Sequence, residues 1–546
     1  MSADANVRQL GLELWEWRLP TQFRTSDDIP RVDRPRGWLP SITPASVEER
    51  LATAEHFRRR WEAVDRAELS PAGEVDHRLL GSALARVRWE CELLRNWERD
   101  AVLLAEQAIG PYFDLLLRPP PFREERVADL AHVLANVPAQ LEVAQASLAR
   151  AGVRPLAAAA VRLLSGIEDA LPASIAGLEG LVGAGDHDTL TGLGADAAAA
   201  LASFRGWLSE SLDTFAPLTP IGRDGFVWFL RHVALHPGQP EDLVTAAWRE
   251  LDRATVWEAI ERNRHRDAPQ PPLPATAAEQ VEDQARRERE VRAFYEQEGL
   301  LTQPARLRHY LTAPMPPYLA PISWLGVTDD LTGDDRLAED GVSYTPEPGP
   351  DLPYFYAANA RDPRLGIVHE GAHYQQLALA WAHPNPLRRR YYDSLPNEGI
   401  AFYNEEFLLQ AGLFEDAPRS REVIHNFNKL RSLRVIVDVN LATGAFSLEE
   451  GVAAFVELVP MDEETAFEET ASYTANPGHA MTYLVGKQQI LALQAELLRA
   501  QGEAFSLRAF HDRLWLEGNV PLALQRFEVL GDRSELEVLD AAGPWW

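Results

Sequence analysis

Residues 369–373 read His-Glu-Gly-Ala-His, a spacing that does chemistry when the segment is helical. Side chains four apart leave a helix from one face, one turn apart. His369 and His373 can therefore turn two imidazoles toward one metal ion. Glu370 follows the first histidine and can lean over the same point as a general base. Apolar residues flank the motif, with Leu365, Ile367 and Val368 before it and Leu377, Ala378 and Leu379 after it. They predict one buried helix across 365–379. Two histidines and a glutamate buried without partners are costly, and a bound zinc ion removes that cost.

A catalytic zinc takes three protein ligands and keeps one position open. The third is expected from residues 391–414, YYDSLPNEGIAFYNEEFLLQAGLF. Pro384 and Pro386 end the first helix, Asn397 is the expected N-cap of a second, and Gly412 its stop. Folded back across the first helix, the second brings Glu398 to the metal. Glu405 lies two turns along the same face and can hold the free ring nitrogen of a ligating histidine. The competing reading of Glu398 is an ordinary carboxylate in a helix's first turn, where the dipole favours it.

Attack on a carbonyl builds negative charge on its oxygen, and a phenol or imidazolium stabilises that charge. His479 and Tyr483 are the candidates. They stand four apart after the Pro477-Gly478 break and share a face if both are helical. Tyr473, ten residues before Tyr483, is a candidate substrate contact. The competing reading is a buried tyrosine with a satisfied hydroxyl and a surface histidine. A terminal carboxylate on the substrate calls for a cation. Arg434, Arg431 and Lys487 are all available and the sequence does not choose among them; Arg434 is carried as the candidate contact.

The elements that must position these residues are helical nearly throughout. Apolar residues recur at three- and four-residue spacing over 75–145, broken at Pro119-Pro120-Pro121. Trp15, Trp17 and Trp38, around a Pro-rich strip at 29–44, read as packing anchors. The Ala-rich stretch 150–217 predicts helix, loop, helix, with breaks at Gly183, Gly185, Gly192 and Gly194. Two helices over 222–266 join at His236-Pro237-Gly238. A charged helix, EQVEDQARRERE, follows a Pro-rich linker and reads as a solvated face. Helical periodicity stops over 311–364. There YFYAANA at 354–360 alternates like an edge strand that a peptide could pair with, or is a loop packed on the core. The acidic stretch 329–340 reads as an exposed insertion or a lid. Further helices are expected over 421–443 and 448–459.

Composition narrows the partners. The 546 residues carry a net charge of −29, which argues against nucleic acid and anionic membranes. The single cysteine, Cys91, allows no internal disulfide and suits a reducing compartment. The N-terminus shows no secretory pattern and no stretch of roughly eighteen apolar residues occurs. A cytoplasmic protein is expected.

HEGAH followed by NEGIAFYNEE and NPGHAMTYLVG resembles the DUF885 family of bacterial proteins. Glu398–Gly399–Ile400–Ala401–Phe402–Tyr403–Asn404–Glu405 is similar to that family's E-G-W-A-L-Y-x-E segment. Residues 477–486 are similar to its P-G-Q-A-x-x-Y-x-x-G segment. The opening LELWEWRLP and the stretch GFVWFLRHVALHPGQPEDL resemble it too, so the likeness runs over most of the chain. The resemblance implies a mainly α-helical zincin-like shell around a deep channel, with a small β element beside the metal helix. It implies one domain over 1–546, made of a helical part at 1–266, an irregular part at 267–364 and a metal-site part at 365–546. It further implies a bound Zn2+ held by His369, His373 and Glu398, and hydrolysis of short peptides or small amides with Glu370 as base. The sequence departs from the family in four places. H-E-x-x-H replaces H-E-x-x-P-G-H, His479 replaces Gln, Ala442 replaces the His of D-x-G-L-H, and Leu484 replaces Lys. These changes leave the ligands intact and alter the groups that meet substrate. They favour an alternative, a hydrolase of a non-peptide amide or a biosynthetic intermediate. A non-catalytic metal-containing binding protein is the second alternative.

Overall fold

Helices form where apolar spacing and capping residues place them, and the chain is mainly α-helical with one three-stranded sheet. The computed structural model describes residues 2–24, 34–333, 335–391 and 393–543. Residues 29–33 of the Pro-rich strip, Asp334 of the acidic stretch and Tyr392 lie outside the described residues. The helices Gly222–His232 and Pro240–Arg264 flank His236-Pro237-Gly238 as the sequence predicts.

Three expectations change. Gly185, Gly192 and Gly194 do not break the chain; helix Ala184–Ser211 runs through them. Alanine-rich sequence sustains the helix, and Gly194 packs closely, because a Cβ there would stand 1.9 Å from Ile175 Cδ1 and would have to move that side chain's tip. The segment 354–360 is a helix, Tyr354–Arg361, not a strand. Its Ala-Ala-Asn-Ala-Arg end favours helix, and the rings of Tyr354 and Phe355 both pack on Phe427, at 5.8 and 4.9 Å. The charged helix Ala277–Gln297 is not only a solvated face; Gln280, Gln284, Glu288, Val291 and Tyr295 form a buried stripe.

That stripe supports the sheet. Strands β1 (Tyr310–Pro314) and β3 (Gly341–Thr345) pair in parallel, and β2 (Asp329–Asp330) pairs antiparallel with β3. The outer edge of β1 is closed by a side chain. Gln284 donates to the Tyr310 carbonyl at 3.0 Å and accepts from the Thr312 amide at 3.0 Å. A side-chain amide thus takes the place of a further strand. Tyr310 stacks on Tyr374 at 6.2 Å, so a small β element does lie beside the histidine helix, Glu370–Trp381, although it comes from other residues than expected.

Buried apolar residues form two main clusters. One gathers the helices before residue 216 with the chain's last turns; the other gathers 226–301 with the helices after 358.

Candidate metal centre

Four helices converge around residues 369–373: the histidine helix, the glutamate helix Ser394–Ala411, the arginine helix Pro418–Thr443 and the tyrosine helix Thr482–Gln501. The predicted single helix over 365–379 is divided. Arg364–Ile367 is a short turn, Val368 and His369 bridge, and Glu370 opens the next helix. The amide of His369 bonds to Gly366, three residues back rather than four, which tightens the turn. The carbonyl of Val368 left over by this break accepts from Asn404 Nδ2 at 2.7 Å. The His373 amide still bonds to the His369 carbonyl at 3.2 Å, so the two rings keep to one face.

The glutamate helix begins a turn earlier than expected. Asp393, not Asn397, is its N-cap, accepting from the Leu395 amide at 2.9 Å. Pro396 fits there because its missing N–H falls among the unpaired amides of a first turn. Asn397 is buried instead and donates to Gln376 at 2.6 Å, tying this helix to the histidine helix. Gly412 ends the helix in the left-handed region at φ 101°, as predicted. A glycine pair sets the depth of Glu398. A Cβ on Gly399 would stand 2.7 Å from Gly486, and one on Gly486 would stand 2.1 Å from the Leu395 carbonyl. Without both glycines the glutamate and tyrosine helices could not cross this closely.

The crossing brings His369, His373 and Glu398 together, all buried, with one ligand atom from each within 4.8 Å of the others. Nε2 of His373 and of His369 stand 3.3 and 3.6 Å from Glu398 Oε2. Ligands held about 2.0–2.1 Å from a common tetrahedral centre stand roughly 3.3 Å apart. Glu398 Oε2 is buried and has no hydrogen-bond partner among the described residues. An anionic oxygen facing two ring nitrogens at ligand spacing fits a divalent metal of the zinc type. His373 Nδ1 also lacks a partner among the described residues.

Glu405 lies where the spacing predicts, accepting from His369 Nδ1 at 2.6 Å. Arg431 donates to the same carboxylate oxygen at 3.0 Å. Burial and Arg431 push the His369 imidazole down, but Glu398, Glu405 and Glu370 outweigh them and raise it to about 9. The carboxylate of Glu398 is held well below its usual range. Its burial works the other way and is overcome by His373 and His369.

Glu370 is half-buried in the first turn of its helix. Beside it, Tyr310 packs 3.5 Å from where a Cβ of Gly371 would be. Burial pushes the Tyr310 and Tyr356 phenols up, and the Glu370 carboxylate adds to the effect. The sequence reading missed this pair, because their approach depends on the sheet. Tyr483 stacks on His369 at 6.1 Å, with Arg431 and Arg434 over its ring at 5.5 and 5.3 Å.

His479 and Tyr483 do not share a helix face. His479 sits in the turn before the tyrosine helix, which starts at Thr482. Asp438 holds that turn, accepting from the amides of Gly478 and Met481 at 2.9 Å each. Burial raises the Asp438 carboxyl to about 7. His479 faces a cavity of about 610 Å3 whose wall includes none of the three ligand residues, nor Glu370. Tyr473 lines the same cavity and donates to Glu469, which also takes Arg434 at 2.7 Å. Lys487 is buried between Glu250 and Glu406. Each of the three cations considered for a substrate carboxylate meets a carboxylate, but Arg431 Nε and Nη1 and Arg434 Nε have no hydrogen-bond partner among the described residues. Trp15, expected as a packing anchor, lines the cavity as well, whereas Trp17 packs on Phe57 at 5.6 Å.

Two solved structures share the fold over nearly the whole chain. One is a proposed lipoprotein of unknown function from Shewanella oneidensis, 16% identical with a TM-score of 0.70, covering 97% of this chain and 100% of that one. The other is a proposed lipoprotein from Colwellia psychrerythraea, 15% identical with a TM-score of 0.72, covering 99% and 100%. No curated protein matches. No helix among the described residues is long and apolar enough to cross a membrane. The model of the family described as bacterial protein of unknown function, DUF885, matches residues 31–264 and 343–529, and this chain belongs to that family.

Proposed function

We propose that this protein is a zinc-dependent hydrolase of amide bonds, metallopeptidase-like in its chemistry. The observation that carries this reading is the buried meeting of His369, His373 and Glu398 with an unpaired Glu398 oxygen, next to the spare carboxylate of Glu370. A structural metal has no use for that extra base. Bound zinc supplies Lewis acidity toward the scissile carbonyl and makes water acidic near neutral pH. Glu370 takes the proton from the attacking water and returns it to the leaving amine. Tyr483, stacked on His369, is the proposed donor to the oxyanion, whereas His479, which faces the separate cavity, is not carried into that role. Glu405 fixes the ring of His369 and its tautomer.

Lys487 is held between Glu250 and Glu406, whereas Arg431 keeps Nε and Nη1 without a hydrogen-bond partner among the described residues, so the cations do not choose between an exopeptidase and the non-peptide alternative. A cytoplasmic location is proposed with it, on the lone buried thiol of Cys91; fractionation of native cells tests that point, since the two structural neighbours carry lipoprotein names. The function itself is tested by elemental mass spectrometry of the purified protein beside Glu398→Ala. Stoichiometric zinc in the wild type and its loss in the variant are expected. A wild type that takes up no zinc on reconstitution would overturn the hydrolase reading, and zinc held without turnover would support the metal-containing binding protein.

A further inference from the structure

The cavity beside the metal centre is a site in its own right. At about 610 Å3 it has the volume typical of small-molecule pockets, roughly 300–1,000 Å3. It lies between the two apolar cores, walled by residues from 11–163 on one side and from 381–519 on the other. Trp15, Trp89, Trp324 and Trp381 are among the residues of its wall.

Its charges are nearly balanced. Four arginines and five carboxylates line it, in a chain whose net charge is −29. Most of the inner ones are engaged with each other or with backbone. Arg18 pairs with Glu90 at 3.3 Å and Arg86 with Asp393 at 2.8 Å. Asp100 accepts from the amides of Val102 and Leu103 at 2.9 and 3.3 Å. Arg389 turns its guanidinium onto the His383 carbonyl. Arg390 and Glu468 are exposed at the rim. An ionic guest would lose its hydration and find the wall's charges already matched, which is costly. A neutral guest with flat or branched apolar groups loses little and gains contact with the indoles. Ser394, His479 and Thr482, with Asn96, Asn476 and Asn519, supply polar atoms that orient such a guest.

We propose that this chamber binds a neutral, largely apolar or aromatic small molecule, at a site distinct from the His369–His373–Glu398 cluster. The site does not depend on what the metal centre does.

The test uses full-length protein and two dyes with the same rings, neutral N-phenyl-1-naphthylamine and its anionic relative 1-anilinonaphthalene-8-sulfonate. The neutral dye is expected to saturate a single site, with emission sensitised by tryptophan, and to bind at least about tenfold tighter than the sulfonate. Ala83→Trp with Ala159→Trp fills the chamber from two walls and should weaken the neutral dye at least about tenfold. Trp15→Phe, a mild change, should keep affinity close to wild type and lower the sensitised emission, which keeps the test valid if the double variant folds poorly. Trp257→Ser removes an exposed indole on the outer surface and should change nothing. Neutral-dye binding that survives a folded double variant, is lost in Trp257→Ser or keeps full sensitisation in Trp15→Phe would overturn the assignment. Tighter binding of the sulfonate would overturn the neutral class.

Discussion

The candidate metal centre and the chamber handle charge in opposite ways. In the centre a carboxylate oxygen is buried with no hydrogen-bond partner while two imidazoles face it. In the chamber each inner arginine already has its carboxylate or carbonyl. Both regions bury ionisable groups, and burial alone therefore says little about function. What separates them is whether the local protein satisfies the charge. Unsatisfied charge at ligand spacing calls for a cation, and satisfied charge around open volume calls for a neutral guest.

The largest effect that would sharpen this contrast is on turnover. Glu370→Gln keeps shape and removes the base. It should lower the hydrolysis rate by about 10²–10⁴-fold while zinc content stays unchanged and the neutral dye still binds. Loss of zinc along with activity would make Glu370 part of the metal cradle and break the division of roles. Next comes the carboxylate behind the ligand. Glu405→Ala should weaken zinc by about 10–100-fold in a chelator competition, because His369 loses the acceptor at 2.6 Å that orients it. An unchanged affinity would mean that Arg431 and packing alone hold the ring.

In the proposed centre, protons and zinc compete for His369. Its folded value, about 9, lies above its ordinary 6.5. In metal-free protein the extra stability is fully present below pH 6.5 and is lost as the pH rises through about 9. Zinc needs the neutral ring. Its affinity should therefore climb about tenfold per pH unit over that window and flatten above it. A flat profile would remove His369 from the ligand set. The chamber contributes no such dependence to zinc binding.

The two regions also differ in how far the sequence discloses them. His369, His373, Glu398 and Glu405 are legible because each pair sits on one helix or on two consecutive ones, where periodicity translates directly into geometry. The helix ends were less legible. Asp393 caps where Asn397 was expected, because Pro396 is tolerated in a first turn. Tyr354–Arg361 looked extended because alternating aromatics suit a strand as well as one face of a helix. His479 left the expected face because Asp438, forty residues away, captures the turn that precedes it. The chamber had no signal at all. Its wall joins Trp15, Trp89, Trp324 and Trp381, and no spacing rule relates residues that meet only through tertiary packing.

The smallest predicted effect examines the chamber's neutrality directly. Arg86→Met removes the partner of Asp393 and leaves a buried carboxylate held mainly by the Leu395 amide. Breaking a fully buried pair costs about 3–5 kcal/mol. Arg86 is 31% exposed against 4% for Asp393, so water screens the pair and about 1–2 kcal/mol is expected, read as a lowered midpoint in urea. The sign with pH follows from Asp393. Burial already raises its carboxyl above the ordinary 3.8, and Arg86 opposes that rise. Its ionised form therefore costs stability as the pH climbs from below 3.8 through its folded value, and the cost grows when Arg86 is gone. Wild type and variant should converge in acid, where the carboxyl is protonated in both, and separate toward neutral pH. Equal midpoints at neutral pH would mean that solvent already matches Asp393, and the argument that the chamber neutralises its own charges would lose its best-placed pair.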